Sequence, residues 1–145
     1  MRAIMAVGIL AAAATLSRAD DASDAAKKLD GTYSLVSGSF EGNKDHAKLK
    51  ELKSVVIKDG TITIKSENRD DVAKFTVDPS KKPGEMTLVT GNGNNTINGI
   101  YETKETPDGL QLTLSFTHGG GPRPKDFKGE DEKSVVLALL RKKAK

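Results

Sequence analysis

Leu110-Gln-Leu-Thr-Leu-Ser-Phe116 alternates without a break, with Leu110, Leu112, Leu114 and Phe116 on one face and Gln111, Thr113 and Ser115 on the other. A period of two places successive side chains on opposite faces, the pattern of a half-buried antiparallel strand. The stretch before it, Thr96 to Glu105, reads as a partner strand, and Pro107-Asp-Gly109 supplies the turn between them. This hairpin restricts the chain to β architectures, because the pattern recurs along most of its length.

The clearest repeat is Ser54-Val-Val-Ile-Lys58, Asp59-Gly60, Thr61-Ile-Thr-Ile-Lys65. A two-residue Asp-Gly connection favours a type I′ turn, whose twist matches that of the strands it joins. That register sets Lys58 opposite Thr61, Ile57 opposite Ile62 and Val55 opposite Ile64. All four apolar side chains then share one face, so turn chemistry and hydrophobic pattern agree independently.

Further strands are expected at Leu29–Ser37, Val72–Val77, with Ala73, Phe75 and Val77 aligned, and Glu85–Thr90, with Met86 and Leu88 aligned. Pro79 and Pro83 confine the stretch between the last two to a turn. Gly38 to Asn43 is turn-like. Asp45–Lys53 has room for two helical turns at most, and a helix that short needs tertiary packing. Lys133–Arg141 is apolar on both faces. It could close a sheet as a strand or plug one as a helix, and the Val135-Val136 pair favours the strand. The expectation is therefore an all-β, eight-stranded antiparallel up-and-down barrel with one short helix, closed so that no edge is left open.

Composition narrows the function. The chain has 145 residues, enough for one domain, and no cysteine, so disulfides and thiolate metal sites are excluded. Met1-Arg2, the apolar run Ile4–Leu16 and Ser17-Arg18-Ala19 form the n-region, h-region and cleavage site of a secretory signal peptide, with cleavage after Ala19. The run falls short of the roughly 20 apolar residues a membrane span needs. The expected organisation is a signal peptide over 1–19, a flexible lead-in or short helical turn over 20–28, and a barrel domain over 29–142. The mature protein would then be exported and without a transmembrane segment. Removing Arg2 and Arg18 from the 23 basic residues leaves 21 against 20 acidic ones. Near-neutrality, with no Trp, argues against nucleic acid as a partner.

Several motifs in order resemble a family of uncharacterised secreted, lipocalin-like proteins expanded in planctomycete bacteria. They are Leu29-Asp-Gly-Thr-Tyr-Ser-Leu-Val-Ser-Gly38, Val77-Asp-Pro-Ser-Lys-Lys-Pro83, Gly99-Ile-Tyr-Glu102, Leu110–Phe116 and Arg123-Pro-x-x-Phe127. The resemblance covers nearly the whole mature chain and implies an extracytoplasmic barrel, with no activity or ligand attached. More distantly, Gly31-Thr32-Tyr33 is similar to the Gly-x-Trp that opens lipocalin barrels, with Tyr in place of Trp. That similarity implies a structural stacking of Arg141 on Tyr33.

Candidate chemistry is sparse. His118-Gly-Gly-Gly121 is similar to an esterase oxyanion segment, but the chain has no Gly-x-Ser-x-Gly elbow. A glycine loop leading into Pro122 is the plainer reading. His46 and His118 are the two histidines, and neither has a ligand partner at metal spacing. Asp70-Asp71 and Glu130-Asp-Glu132 read as solvated charges, and Asn94-Asn-Thr96 as a chance match to a glycosylation sequon. No enzyme activity, metal or cofactor is expected. Arg123, held between Pro122 and Pro124, could bind a carboxylate or phosphate at the barrel mouth. Equally, it could cap carbonyls or pair with an acidic loop residue, while Phe127 tucks its loop against the mouth.

The leading expectation is a small, partly apolar ligand held in a barrel lined by Val55, Ile57, Phe75, Met86, Tyr101, Leu112 and Leu114, with Arg123 at the mouth. The alternative is a packed barrel serving as a protein-interaction module at the cell envelope, because eight strands enclose either one small ligand or their own side chains. Envelope hydrolysis stands third. A void of roughly 300 Å³ or more separates the first two readings.

Overall fold

The Asp59-Gly60 turn forms with positive φ at both residues, 50° and 76°, as a type I′ turn requires. Its strands pair Lys58 with Thr61, Ile57 with Ile62 and Val55 with Ile64, the register that the hydrophobic pattern demands. In the computed structural model this hairpin is part of a closed eight-stranded barrel, described here for residues 22–90, 93, 95–118, 120–129 and 133–142. The expected signal peptide, Asn94 of the sequon, Glu130-Asp-Glu132 and residues 143–145 lie outside the described residues.

The strands run β1 Gly31–Phe40, β2 Leu52–Lys58, β3 Thr61–Ser66, β4 Asp70–Asp78, β5 Gly84–Thr90, β6 Asn95–Thr106, β7 Gly109–Thr117 and β8 Ser134–Lys142. Each pairs antiparallel with the next, and β8 pairs back onto β1. The fold is thus the expected up-and-down, lipocalin-like barrel, and the last segment is a strand. Among the described residues the barrel is accompanied by the expected short helix, α2 Ala47–Glu51, and by a helical segment, α1, at residues 22–28. The lead-in is therefore helical rather than a loose tail, because Ala25 and Ala26 pack against the core just before the buried Leu29. No helix among the described residues is long and apolar enough to cross a membrane.

Two bulges explain where simple alternation fails. In β1 the inward residues Tyr33 and Leu35 have odd numbers. The pairing then slips between Leu35 and Ser37, and Gly38 and Phe40 lie opposite the inward Leu137 and Val135. The extra residue, Val36, is 59% exposed. Phe40 therefore ends a strand where a turn was expected from Gly38 onward. A matching slip between Leu52 and Ser54 in β2 brings Leu52 onto the face of Val55 and Ile57. Bulges bend strands at barrel rims and re-aim side chains. Here they turn both strands inward on either side of α2. Leu49 of α2 packs over Gly38, where a Cβ would come within 3.3 Å of the leucine methyl and 2.7 Å of the Val136 carbonyl.

The end of the barrel that carries the Asp59-Gly60 turn, called the lower end below, is filled. Tyr33, Val55, Ile57, Phe75, Val77, Met86, Tyr101, Leu112, Leu114 and Leu139 are buried there, in a core cluster that continues upward through Ile62, Ala73, Leu88, Val135, Leu137 and Leu49. The lower end is also closed by the start of β1. Tyr33 Oη donates to the Leu29 carbonyl at 2.7 Å, and the Arg141 guanidinium lies 5.9 Å from the Tyr33 ring centroid. Arg141 also donates to the Lys28 carbonyl at 2.9 Å and to that of Asp30. Gly31 is required here: its φ is +147°, and a Cβ would run into the Arg141 side chain.

Candidate functional site

The upper end is hollow. A cavity of about 870 Å³ opens there between α2, the β3–β4 turn and the ends of β5 to β8. Its walls are Leu49, Leu52, Ile62, Ile64, Ala73, Leu88, Ile97, Phe116, Val135 and Leu137. These are the upper inward positions of the same strands whose lower inward positions fill the floor. Bulky Tyr33, Phe75, Met86 and Tyr101 fall below, whereas Ala73 and Ile62 fall at the level where space opens. The volume lies within the range usual for small-molecule sites, about 300–1,000 Å³.

Side chains at the rim are polar and aromatic. The Phe40 ring has three neighbours: His46 at 4.5 Å, His118 stacked at 5.5 Å, and the Lys48 ammonium 4.6 Å from its centroid. His118 Nε2 lies 3.2 Å from Glu41 Oε1, within ion-pairing distance once the imidazole is protonated. Backbone bonds hold this corner: Glu41 N donates to the Ser134 carbonyl at 2.8 Å, and His118 N to that of Lys133 at 2.9 Å. His46 also caps α2, its Nδ1 accepting from Lys48 N at 3.2 Å. Across the opening, Arg69 Nε pairs with Asp71 at 3.4 Å. Both side chains of that pair are more than half exposed, so it contributes little to stability.

The seven residues expected to line a ligand in the barrel do not line this cavity. Val55, Ile57, Phe75, Met86, Tyr101, Leu112 and Leu114 are buried in the core but lie outside the lining of this cavity, on the strand positions below it. Periodicity assigned the inward face correctly but carries no information about height along the barrel axis. Summing inward side-chain volume level by level would have separated the two halves. Burial raises the hydroxyl pKa of Tyr101 above its usual value, with the Asp78 carboxylate adding to the shift. Tyr33 is raised mainly by burial, against the opposing pull of Arg141.

Arg123 is not at the mouth. It lies against the outer wall over β5 and β6, where Nη1 donates to the Met86 carbonyl at 3.1 Å and the Gly99 carbonyl at 2.6 Å. Nη2 donates to Thr87 Oγ1 at 3.1 Å and Asn98 Oδ1 at 3.3 Å, and Nε lies 3.8 Å from Glu85. A guanidinium with all its arms engaged is a clamp, so the carbonyl-capping alternative is the one realised. The segment between β7 and β8 thereby covers an outward strip in which Ser39, Ile100, Ser115, Thr117 and Ser134 are buried. Phe127 in that segment is half-buried and does not line the cavity.

Among the described residues, no group of three or more His, Asp or Glu side chains is placed to hold a metal ion. Compared with protein families, curated proteins and solved structures, the chain finds no match in any of the three. The resemblance to secreted lipocalin-like proteins therefore stands on its motifs alone.

Proposed function

We propose that this protein is exported and binds a small, partly apolar molecule in the upper half of its barrel, acting by binding rather than catalysis. The observation that supports this reading is the cavity of about 870 Å³, apolar in its depth and polar at its rim. A barrel serving only as an interaction module has no need of an empty upper half. Unfilled apolar wall forfeits dispersion contacts that packing would recover, so leaving it empty costs stability unless a ligand occupies it. Export is supported by the signal-peptide pattern of Met1–Ala19 and by the resemblance of the motifs to those of secreted proteins.

The test uses the mature chain, starting at Asp20. Titration with a hydrophobic dye and a panel of lipids should give saturable binding and a rise in melting temperature, as expected of a ligand that binds only the folded state. Ala73→Leu, which pushes bulk into the cavity wall, should weaken dye binding while the fold persists by circular dichroism. Absence of saturable binding across the panel, together with no thermal shift, would overturn the proposal.

A further inference from the structure

We propose that α2 is a pH-sensitive flap over the cavity: protonation of His46 removes the acceptor that caps the helix, so acidification loosens the flap and releases what the cavity holds. The release rests on the cavity being the binding site, whereas the loosening of α2 does not. Helix α2 reaches the cavity through Lys48, Leu49 and Glu51, and Leu49 is its one buried residue. A helix of five residues does not persist by its own hydrogen bonds. What holds it is Leu49 over Gly38, the Glu51 carbonyl accepting from Glu67 N at 3.0 Å, and the cap, in which His46 Nδ1 accepts from Lys48 N at 3.2 Å.

Helix caps are ordinarily hydroxyl, carboxylate or amide oxygens, which still accept in mild acid. A histidine cap is different, because only the neutral imidazole has an acceptor nitrogen. In the imidazolium both nitrogens carry hydrogen, so no flip of the ring restores the bond to Lys48 N. Stabilisation from the cap is therefore present at neutral pH and lost as pH falls through the range in which imidazoles titrate. The charges around His46 favour this outcome or leave it unopposed. Lys44, Asp45, Lys48 and Lys50 lie along its own segment. From β1 and β7 come Glu41 and His118, 3.2 Å apart and so engaged with each other. Beyond the far end of the helix stand Glu51, Glu67 and the Arg69–Asp71 pair. His46 lies 4.5 Å from the Phe40 ring, which also has the Lys48 ammonium 4.6 Å from its centroid. Attraction of the imidazolium to Phe40 or to Asp45 would promote protonation, yet neither supplies an acceptor for Lys48 N.

The experiment follows two readouts from about pH 7.5 to 5: amide exchange corrected for its intrinsic pH dependence, and dissociation of the bound hydrophobic dye. Protection at Lys48, Leu49 and Glu67 should fall about fivefold, the equivalent of one lost cap, and the dye should leave faster by a similar factor. His46→Asn, whose amide oxygen caps without titrating, should abolish both responses. His118→Gln, which removes the chain's other histidine, should keep both. Flat protection in the unaltered chain, a fall that persists in His46→Asn, or one that disappears in His118→Gln overturns the proposal. A fall in protection with unchanged dye dissociation overturns the control of release by α2 and leaves the cavity reading intact. Absence of any dye binding removes the cavity reading and the release with it, and protection still decides whether His46 controls α2.

Discussion

At the residue scale, Tyr33 shows how one side chain closes a barrel and records the closure in its titration. Its ring is buried, its hydroxyl donates to Leu29, and Arg141 lies over it. Burial disfavours the phenolate and raises its pKa above the usual 10.0, and the nearby Asp30 carboxylate adds to this, while Arg141 works in the opposite direction. A group with a raised folded pKa keeps its stabilisation below the unfolded pKa and loses it as pH rises toward the folded one. Stability should therefore fall as pH climbs above about 10. Tyr33→Phe should be less stable at neutral pH by roughly 1 kcal/mol, for the lost hydrogen bond, yet decline less steeply above pH 10. Urea midpoints measured across alkaline pH for both proteins provide the check, and parallel curves would contradict the account. The sequence pointed to this contact through Gly31-Thr32-Tyr33 and Arg141. It gave no sign of the carbonyls of Lys28 and Asp30, which complete the arginine's partners and which only the folded chain brings within reach.

At the element scale, the segment from His118 to Lys133 has the least regular sequence and the most specific attachment. Pro122 and Pro124 restrict the backbone on either side of Arg123, and the guanidinium then fixes the segment to strands β5 and β6. Bonds from a charged donor typically contribute about 1.5–3 kcal/mol where removal leaves acceptors half-buried and unmet. Arg123→Ala should cost about 2 kcal/mol and speed amide exchange around Asn98–Ile100 and in residues 120–129, without changing dye affinity. Arg123→Lys should recover little, because an ammonium cannot reproduce the planar fork. A fall in dye affinity for Arg123→Ala would place the residue at the ligand after all. Pattern reading could not decide between mouth and wall, since the choice depends on which way a sixteen-residue connection folds back, and no local propensity encodes that. The two β-bulges were hidden for a related reason. Each inserts a residue that breaks the period of two, and in sequence a broken period looks like a turn.

For the whole molecule, the barrel divides into a packed lower half and a hollow upper half, and substitutions should report the division. Leu114 has no exposed surface and is enclosed by the floor cluster. Leu114→Ala should cost about 2–5 kcal/mol, the range for a buried leucine whose neighbours cannot collapse. Leu88 is nearly as buried but lines the cavity on one side. Leu88→Ala should cost less, toward the lower end of that range at about 2 kcal/mol, because that side already lacks partner atoms. Chemical denaturation of the two variants distinguishes the halves directly, and equal losses would mean that the upper half is as tightly filled as the lower. What the sequence determined by itself is local and periodic: the type I′ turn, the hairpin registers, the inward face of each strand and, by counting, eight strands able to close. Each follows from interactions between residues close in the chain or directly opposite across a ladder. What only the tertiary structure decided is where the inside is empty, where Arg123 points and which charges meet at the rim. Those depend on how far each strand slides along its neighbours around a closed circuit, and only closure of the barrel fixes that shear.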